Sequence, residues 1–515
     1  MHRPRITDRS AEGAENTVHT RCRASLRHVR ALGFAATGVL LACGGGDTPT
    51  SSGTGDSVTV SVSPATVAVG GAISRTATIT VTSGKADPLQ WSSENSALAK
   101  VEQTGVTRAR VTGVAQGAVT IRASAGGASA TASITVRDLA FDRLALNGGR
   151  HACAIARDNT LYCWGDHGEG GLGPIQNPEI CPEQRRPCST TPTVVPTSNS
   201  FVQVAVSHGG STCGLTADGV AFCWGENPNN ILGAPTEACM VPDVGAIACI
   251  HTPTRVRGDV RFASLSLGGL LCGLTEQGAA YCWGSNDHGQ LGDGTQIMRL
   301  DPTPVSGGLT FTSLSVGTVH ACGLSAAGIA YCWGLNQSGQ LGDGSTTDHT
   351  SPVVVGGGHT FAGISAGRDH TCGVTVAGAA YCWGDNQFGQ LGDGTTSAST
   401  VPKPVTGLPP SMSVTAGLEH TCGLTTTGRG WCWGQNNDPQ VQGQLGDGTM
   451  RSSLVPVAVA RDLAFVELSA GRAFTCGRTA AGRIYCWGDN RFGQLGSGDV
   501  EMRNSATPVG VAGVP

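Results

Sequence analysis

"HTCGVTVAGAAYCWGDNQFGQLGDGT", residues 370–395, sets two cysteines ten positions apart, flanks the second with aromatic residues, and ends in a glycine-rich polar run. Its first half reads as a β-hairpin. If Val376-Ala377-Gly378 is a three-residue loop, Thr375 faces Ala379, and counting outward brings Cys372 opposite Cys382. The alternating ladder makes this a non-hydrogen-bonded pair, the close kind that a cross-strand disulfide spans. The third loop position needs a positive φ. It is glycine at 219, 278, 328, 378, 428 and 482 and asparagine at 159, the residues that enter that conformation most readily.

The stretch is one of seven. The cysteine pairs Cys153/Cys163, Cys213/Cys223, Cys272/Cys282, Cys322/Cys332, Cys372/Cys382, Cys422/Cys432 and Cys476/Cys486 are each ten apart, and successive pairs begin 60, 59, 50, 50, 50 and 54 residues apart. All seven are read as disulfides, since metal binding wants shorter spacing with further ligands near. A period near fifty marks a propeller or solenoid in which each repeat is one supersecondary unit. Each unit divides into four short strands, as in "TPVSG" (303–307), "TFTSLSVG" (310–317), "HACGLS" (320–325) and "IAYCWG" (329–334). The region opens on "DLAFDRLALNGG" (138–149) without a preceding "TPV" strand and finishes on "TPVGVAG" (507–513). The expectation is therefore an all-β fold in which residues 138–515 form a seven-bladed β-propeller, with the C-terminal strand completing the first blade and protecting its edge.

The turn sequences carry a family likeness. "WGSNDHGQLGDG" (283–294), "WGLNQSGQLGDG" (333–344), "WGDNQFGQLGDG" (383–394) and "WGDNRFGQLGSG" (487–498) resemble the repeat of the regulator of chromosome condensation (alpha-tubulin suppressor-like) family. Its hallmark is W-G-x-N-x-x-G-Q-L-G after a G-x-x-H-x-x-x-L strand. Units one and two depart from it as "WGDHGEGGLG" (164–173) and "WGENPNNILG" (224–233), and unit six is lengthened to "WGQNNDPQVQGQLGDG" (433–448). The resemblance spans about three quarters of the chain and implies a propeller. The eukaryotic founder is an exchange factor for a nuclear GTPase, and a secreted bacterial relative inhibits β-lactamase through a propeller face. Fold does not settle function, and exchange is not expected of an exported chain.

Export is what the start of the chain suggests. Four arginines between 21 and 30 precede the twelve apolar residues Ala31 to Ala42, too few to span a bilayer and typical of a secretory signal. The ending Leu40-Leu41-Ala42-Cys43 resembles the lipobox of bacterial lipoproteins, which implies that residues 1–43 form a signal ending at an acylated Cys43. Residues 44–56, rich in glycine, serine and threonine, read as a flexible tether. Residues 57–137 alternate valine, isoleucine and threonine between glycine turns and read as a small β-sandwich. Ser63-Pro64, Trp91 to Asn95, Val111 to Val114 and the Ala132-to-Val136 strand resemble the bacterial immunoglobulin-like group 2 domain, common in surface stalks. Trp91 is expected in its core.

Composition bounds the partners. The 77 glycines among 515 residues lack a three-residue period, which fits many tight turns. Lysine and arginine total 33 against 37 acids; without residues 1–42 the balance is 26 against 34. No general footprint for nucleic acid follows from such a chain. Of twenty cysteines, fourteen belong to the repeats, Cys43 is the lipid site and Cys22 leaves with the signal. Cys181/Cys188 and Cys239/Cys249 remain, each inside an insertion, and are read as further disulfides in an oxidising compartment.

Residues with chemical potential mostly repeat. His151, His320, His370 and His420 recur one per unit, and Asp293, Asp343, Asp393 and Asp447 sit in "LGDG" turns. Both sets read as structural, the aspartates as turn formers. Tyr162, Phe222, Tyr281, Tyr331, Tyr381, Trp431 and Tyr485 share one position and read as packing between blades. No metal, cofactor or catalytic residue is expected, and the chain is read as a binder, not an enzyme. The expected contacts are Glu183, Arg185, Arg186, Met240, Val241 and Ile247, on insertions leaving one face of the ring. The expected partner is a protein or, as alternatives, a polysaccharide bound or acted on at the ring's centre, or none for a purely structural module. The protein is expected to be a monomer in the bacterial cell envelope, held to a membrane by its lipid alone.

Overall fold

A computed structural model describes residues 60–509 apart from 64–65, 69–76, 82–89, 104–107, 115–116, 126–127, 138–139, 147–148, 176–177, 182–183, 229–231, 235–236, 242–244 and 438–441. The residues expected to form a leader ending at Cys43 and a tether lie outside the described residues. Val60–Ser63, Ala77–Val81, Arg108–Gly113 and Ala99–Gln103 form one four-stranded sheet; Thr66–Ala68, Ala128–Arg137, Gly117–Ala125 and Gln90–Ser93 form a second. Alternate residues of their strands, Val119 with Ile121 and Ile134 with Val136, join Ala99 and Val111 in one buried cluster, the period-two burial of a strand with one covered face. Trp91 packs half-buried against that cluster.

Seven further sheets follow, one per repeat. The fifth runs Phe361–Ala366, His370–Thr375, Ala380–Gly384 and Ser399–Pro404, each strand antiparallel to the next. Its hairpin has the register read from the loop: Cys372 pairs with Cys382, and Gly378, at φ 82°, donates its N–H to the Thr375 carbonyl at 2.8 Å. Asn159 takes the same position in the first sheet at φ 62°.

The same register recurs in every repeat and brings the sulfurs together. Cys153 is bridged to Cys163, Cys213 to Cys223, Cys272 to Cys282 and Cys322 to Cys332. Cys372 is bridged to Cys382, Cys422 to Cys432 and Cys476 to Cys486, and in all seven hairpins the Cα atoms stand 4.1 Å apart. These fourteen cysteines are wholly buried, so they staple the scaffold and present no thiol chemistry at the surface.

The ends of the region differ from expectation. The last strand, Arg503–Pro508, pairs with Ile484–Gly488 inside the seventh sheet and does not complete the first. The fourth strand of the first sheet is supplied locally, by Arg186–Val194. Each "TPV" strand joins the sheet of the unit before it, because it lies antiparallel to the strand that the preceding turn has just left. No strand is missing at the start, so none is needed from the end.

The circle closes by face packing. Gly294, Gly344, Gly394 and Gly448 donate their N–H to the carbonyls of Thr350, Thr400, Leu454 and Asn504 in the following sheet, and Gly498 of the last sheet donates equally to Thr190 of the first. Phe311, Phe361 and Phe465 donate N–H to the hairpin glycine of the sheet before, and Phe141 does so to Gly482. The seventh-to-first junction therefore repeats the bonds of the internal ones. First strands of all seven sheets line one common cavity. Around it Ser266, Ser315, Ser365 and Thr415 accept hydrogen bonds from Val316, Ala366, Ala416 and Ala470 of the next sheet, and Ser469 donates to the Leu146 carbonyl.

Between sheets the tryptophan after each second cysteine is fully buried. Trp383 donates its indole N–H to the Gln340 carbonyl of the preceding turn at 2.9 Å, and Trp164 reaches Gln494 in the same way, from first sheet to last. Trp383→Ala should cost about 3–5 kcal/mol, from lost burial and the cavity left behind. A drop in the urea midpoint under non-reducing conditions measures it, whereas a shift below about 1 kcal/mol would show that the junctions are loosely packed.

Both long insertions extend their sheets outward instead of forming free loops. Glu179–Cys181 adds a fifth strand to sheet one by pairing with Arg186–Val194, and Glu237–Val241 does so in sheet two by pairing with Gly245–Arg255. Cys181 and Cys188 are bridged, and Cys249 is disulfide-bonded, while the Cys239 side chain lies outside the described residues.

Candidate functional site

The repeated polar residues are consumed by the scaffold. Buried His370 shares a 2.9 Å hydrogen bond between its Nε2 and the Thr421 hydroxyl of the next sheet, and that hydroxyl donates to the Gln390 carbonyl. His151, His320 and His420 bond Thr212, Thr371 and Thr475 alike. Burial lowers the pKa of these four from 6.5 to about 3 or 4, so they are neutral. Asp293, Asp343, Asp393 and Asp447 each accept the backbone N–H two residues on, together with the hydroxyl there, which closes the turn. Phe141, Phe262 and Phe311 meet the repeated Tyr162, Tyr281 and Tyr331 edge-on.

Where the repeat is broken, the chemistry changes. In the regular turns the asparagine of W-G-x-N anchors the loop: Asn386 accepts from the Leu391 N–H and donates to the Thr395 and Ser397 carbonyls. Unit one has His167 at that position, preceded by Asp166 and followed by Glu169. Asp166 and Glu169 meet Arg150 in the loop between the first two strands of sheet one, His208 and Gly209-Gly210 in the matching loop of sheet two, and Arg472 in that of sheet seven. Together they line a cavity of about 200 Å³. Glu226, which follows Trp224-Gly225 in sheet two as Asp166 follows Trp164-Gly165 in sheet one, stands beside it, its carboxylate 2.7 Å from where a side chain on Gly209 would begin.

The charges are unevenly matched. Arg186 donates to Glu169 at 2.6 Å and lies 3.7 Å from Asp166, whose side chain is 4 % exposed. Burial raises the Asp166 pKa to about 6 against the pull of Arg186, and burial with the neighbouring Glu169 raises Glu226 to about 7. Burial opposes the Arg186 charge, but Asp166 and Glu169 more than offset that and hold its pKa above the ordinary value. Burial and the Arg472 charge lower His208 to about 4, and both its ring nitrogens are sealed from solvent without a hydrogen-bond partner. The Oδ2 of Asp166 likewise accepts no hydrogen bond. Room for this arrangement depends on glycine: a side chain at Gly210, φ 100°, would fall on Glu169.

The residues expected as contacts are dispersed. Arg186 turns inward into the ion pairs just described. Arg185 is exposed at φ 50° in the hairpin turn, and Ile247 pairs with Cys239 along the outer edge of sheet two. Glu183 and the Met240 and Val241 side chains lie outside the described residues. Arg150, Asp166, Glu169, His208, Glu226 and Arg472 escaped the sequence reading, although the departures "WGDHGEGGLG" and "WGENPN" mark three of them.

The model of the RCC1-like domain matches residues 137–460 and 274–515. The chain belongs to the RCC1-like domain family. A bacterial Ig-like domain (group 2) precedes it over residues 56–136. The RCC1-like region is 27% identical over 235 residues to the human E3 ubiquitin-protein ligase HERC2 and 32% identical over 162 residues to the mitochondrial RCC1 domain-containing protein RUG3 of Arabidopsis thaliana. These alignments span 36% and 30% of the chain but only 5% of HERC2 and 33% of RUG3. Among solved structures, human WBSCR16 is similar at TM-score 0.58 and 20% identity, covering 68% of the chain and 94% of that protein. Yeast RCC1 (Prp20), solved bound to Kap60, gives 0.52 at 21% identity over 64% and 78%. These likenesses establish an RCC1-like propeller fold.

Proposed function

We propose that the protein is an exported, lipid-anchored scaffold whose seven-bladed, disulfide-stapled propeller, carried on an Ig-like sandwich, binds a protein partner at the end bearing the charged cavity. One observation carries the reading. On a ring whose repeated histidines and aspartates serve turns and junctions, the loops of sheets one, two and seven hold unrepeated charged groups around a cavity, with polar atoms left unpartnered. A unique site on a rigid repeat scaffold is where recognition resides. The yeast relative was solved with a protein bound, and a second structure of it is described with binding properties to Gsp1p and histones, which supports a protein as the partner class. The protein acts by binding and not by catalysis, as a monomer in the bacterial cell envelope.

The same cavity also suits a polysaccharide at the ring's mouth, since its lining is polar and unrepeated. Its walls are charged residues, glycine and two histidines, with no tyrosine, tryptophan or phenylalanine among the residues lining it, so the protein reading is favoured. The test is quantitative capture from envelope extract, beside a glycan array, comparing the full chain with R150Q/R472Q and with R185A. Loss of most of the captured partner in R150Q/R472Q alone is expected. Capture indifferent to it removes the proposed end, and turnover of any glycan removes the non-catalytic reading.

A further inference from the structure

We propose that the cavity between sheets one, two and seven is a receptor for a carboxylate, supplied by an acidic side chain of the bound protein. This rests on the binding reading above and adds the chemistry of the contact. On the acidic wall Arg186 holds Glu169 at 2.6 Å and lies 3.7 Å from Asp166. On the basic wall the donors are left open. Arg472 has no ion pair or hydrogen bond among the described residues, and burial with the like charges of Arg150 and Arg491 holds its pKa below the ordinary arginine value. The acids that act on it are engaged elsewhere: Asp489 accepts from two nitrogens of Arg491 at 2.9 and 3.1 Å, and Glu419 accepts from Arg368 at 2.7 Å. Arg150 reaches its nearest carboxylate only at 4.0 Å, and its guanidinium lies over the Phe492 ring at 5.0 Å.

Two guanidiniums with spare donors facing a small polar cavity suit the two oxygens of a carboxylate, which charge-assisted bonds would hold. A carboxylate would thus satisfy the donors left open, while a cation would meet Arg150 and Arg472. A cavity of about 200 Å³ has room for one aspartate or glutamate side chain.

The test titrates the full chain with the blocked peptide acetyl-Gly-Glu-Gly-amide, its glutamine counterpart, glutarate and glucuronate, followed by calorimetry. Saturable binding of the glutamate peptide, weak and in about the millimolar range expected of one charged contact, is the expected result, with none for glutamine. Glutarate binding beside it reports the same chemistry from a free acid. R472Q should weaken both about tenfold or more while its urea midpoint stays unchanged, and R261Q, beside a separate cavity, should leave binding intact. Equal binding of the glutamine peptide, full binding by R472Q, or no saturation by any carboxylate overturns the proposal. Binding of glucuronate without the glutamate peptide overturns it in favour of an acidic glycan. A saturable titration with no captured envelope protein removes the partner and keeps the site; capture insensitive to R472Q with no titration removes the site alone.

Discussion

Lowering the pH from 7 to 5 is expected to reduce the stability of the fold by several kcal/mol. His151, His167, His208, His320, His370 and His420 all have their pKa lowered from 6.5 to about 3 or 4, chiefly by burial. Once unfolded, each takes up a proton near pH 6.5, so between that value and about 4 the unfolded chain binds more protons than the folded one. Stability is full above pH 6.5 and declines by about 1.4 kcal/mol per pH unit for each histidine. Asp166 and Glu226 act in the opposite sense, because their raised values let the folded state bind protons first as the pH falls below about 7. Two carboxyls, one of them only half-buried, offset only part of six histidines. Urea midpoints across this range under non-reducing conditions measure the slope. His370→Gln should be less stable at neutral pH, for want of its bond to Thr421, yet decline less steeply in acid. A midpoint constant between pH 7 and 5 would mean that the fold tolerates charged imidazoles between its sheets.

Reduction should have the other large effect. The fourteen repeat cysteines, from Cys153 and Cys163 in the first hairpin to Cys476 and Cys486 in the last, are all 0% exposed. Dithiothreitol alone should therefore act slowly, at the rate the sheets open, and quickly once urea is added. Each bridge closes a short loop of ten-residue separation, whose constraint on the unfolded chain is worth at most about 2.8 kcal/mol. The hairpin itself already restrains the ends, which lowers that figure. Seven such losses are still comparable to the roughly 5–15 kcal/mol of net stability typical of a domain. Thiol titration of the unfolded, unreduced protein should find no free thiol from the seven hairpins, and fully reduced protein should lose its cooperative melting transition. A melting curve unchanged by complete reduction would assign the stability to sheet packing alone.

Much of the scaffold was legible one hairpin at a time. Loop length and the glycine or asparagine at its third position set the register that joins Cys372 to Cys382, and W-G-x-N announced the turn that Asn386 closes. Such features depend on residues within about twenty positions of each other. The fourth strand was misassigned because "TPV" segments lie between two units, and periodicity alone does not say which neighbour takes them. The insertions misled for a related reason: their cysteines told of a closed loop, while the pairing of Glu179–Cys181 with Arg186–Val194 depends on an open sheet edge that only the assembled unit presents.

By itself, then, the sequence determined the all-β character, the seven repeats and the stapled hairpins, because turn geometry and period-two alternation act locally. Only the tertiary structure decided how the circle closes and what gathers where it does. Arg150 and Arg472 stand more than three hundred residues apart in the chain, yet they line one cavity because the seventh sheet packs on the first with the same bonds that join every other pair.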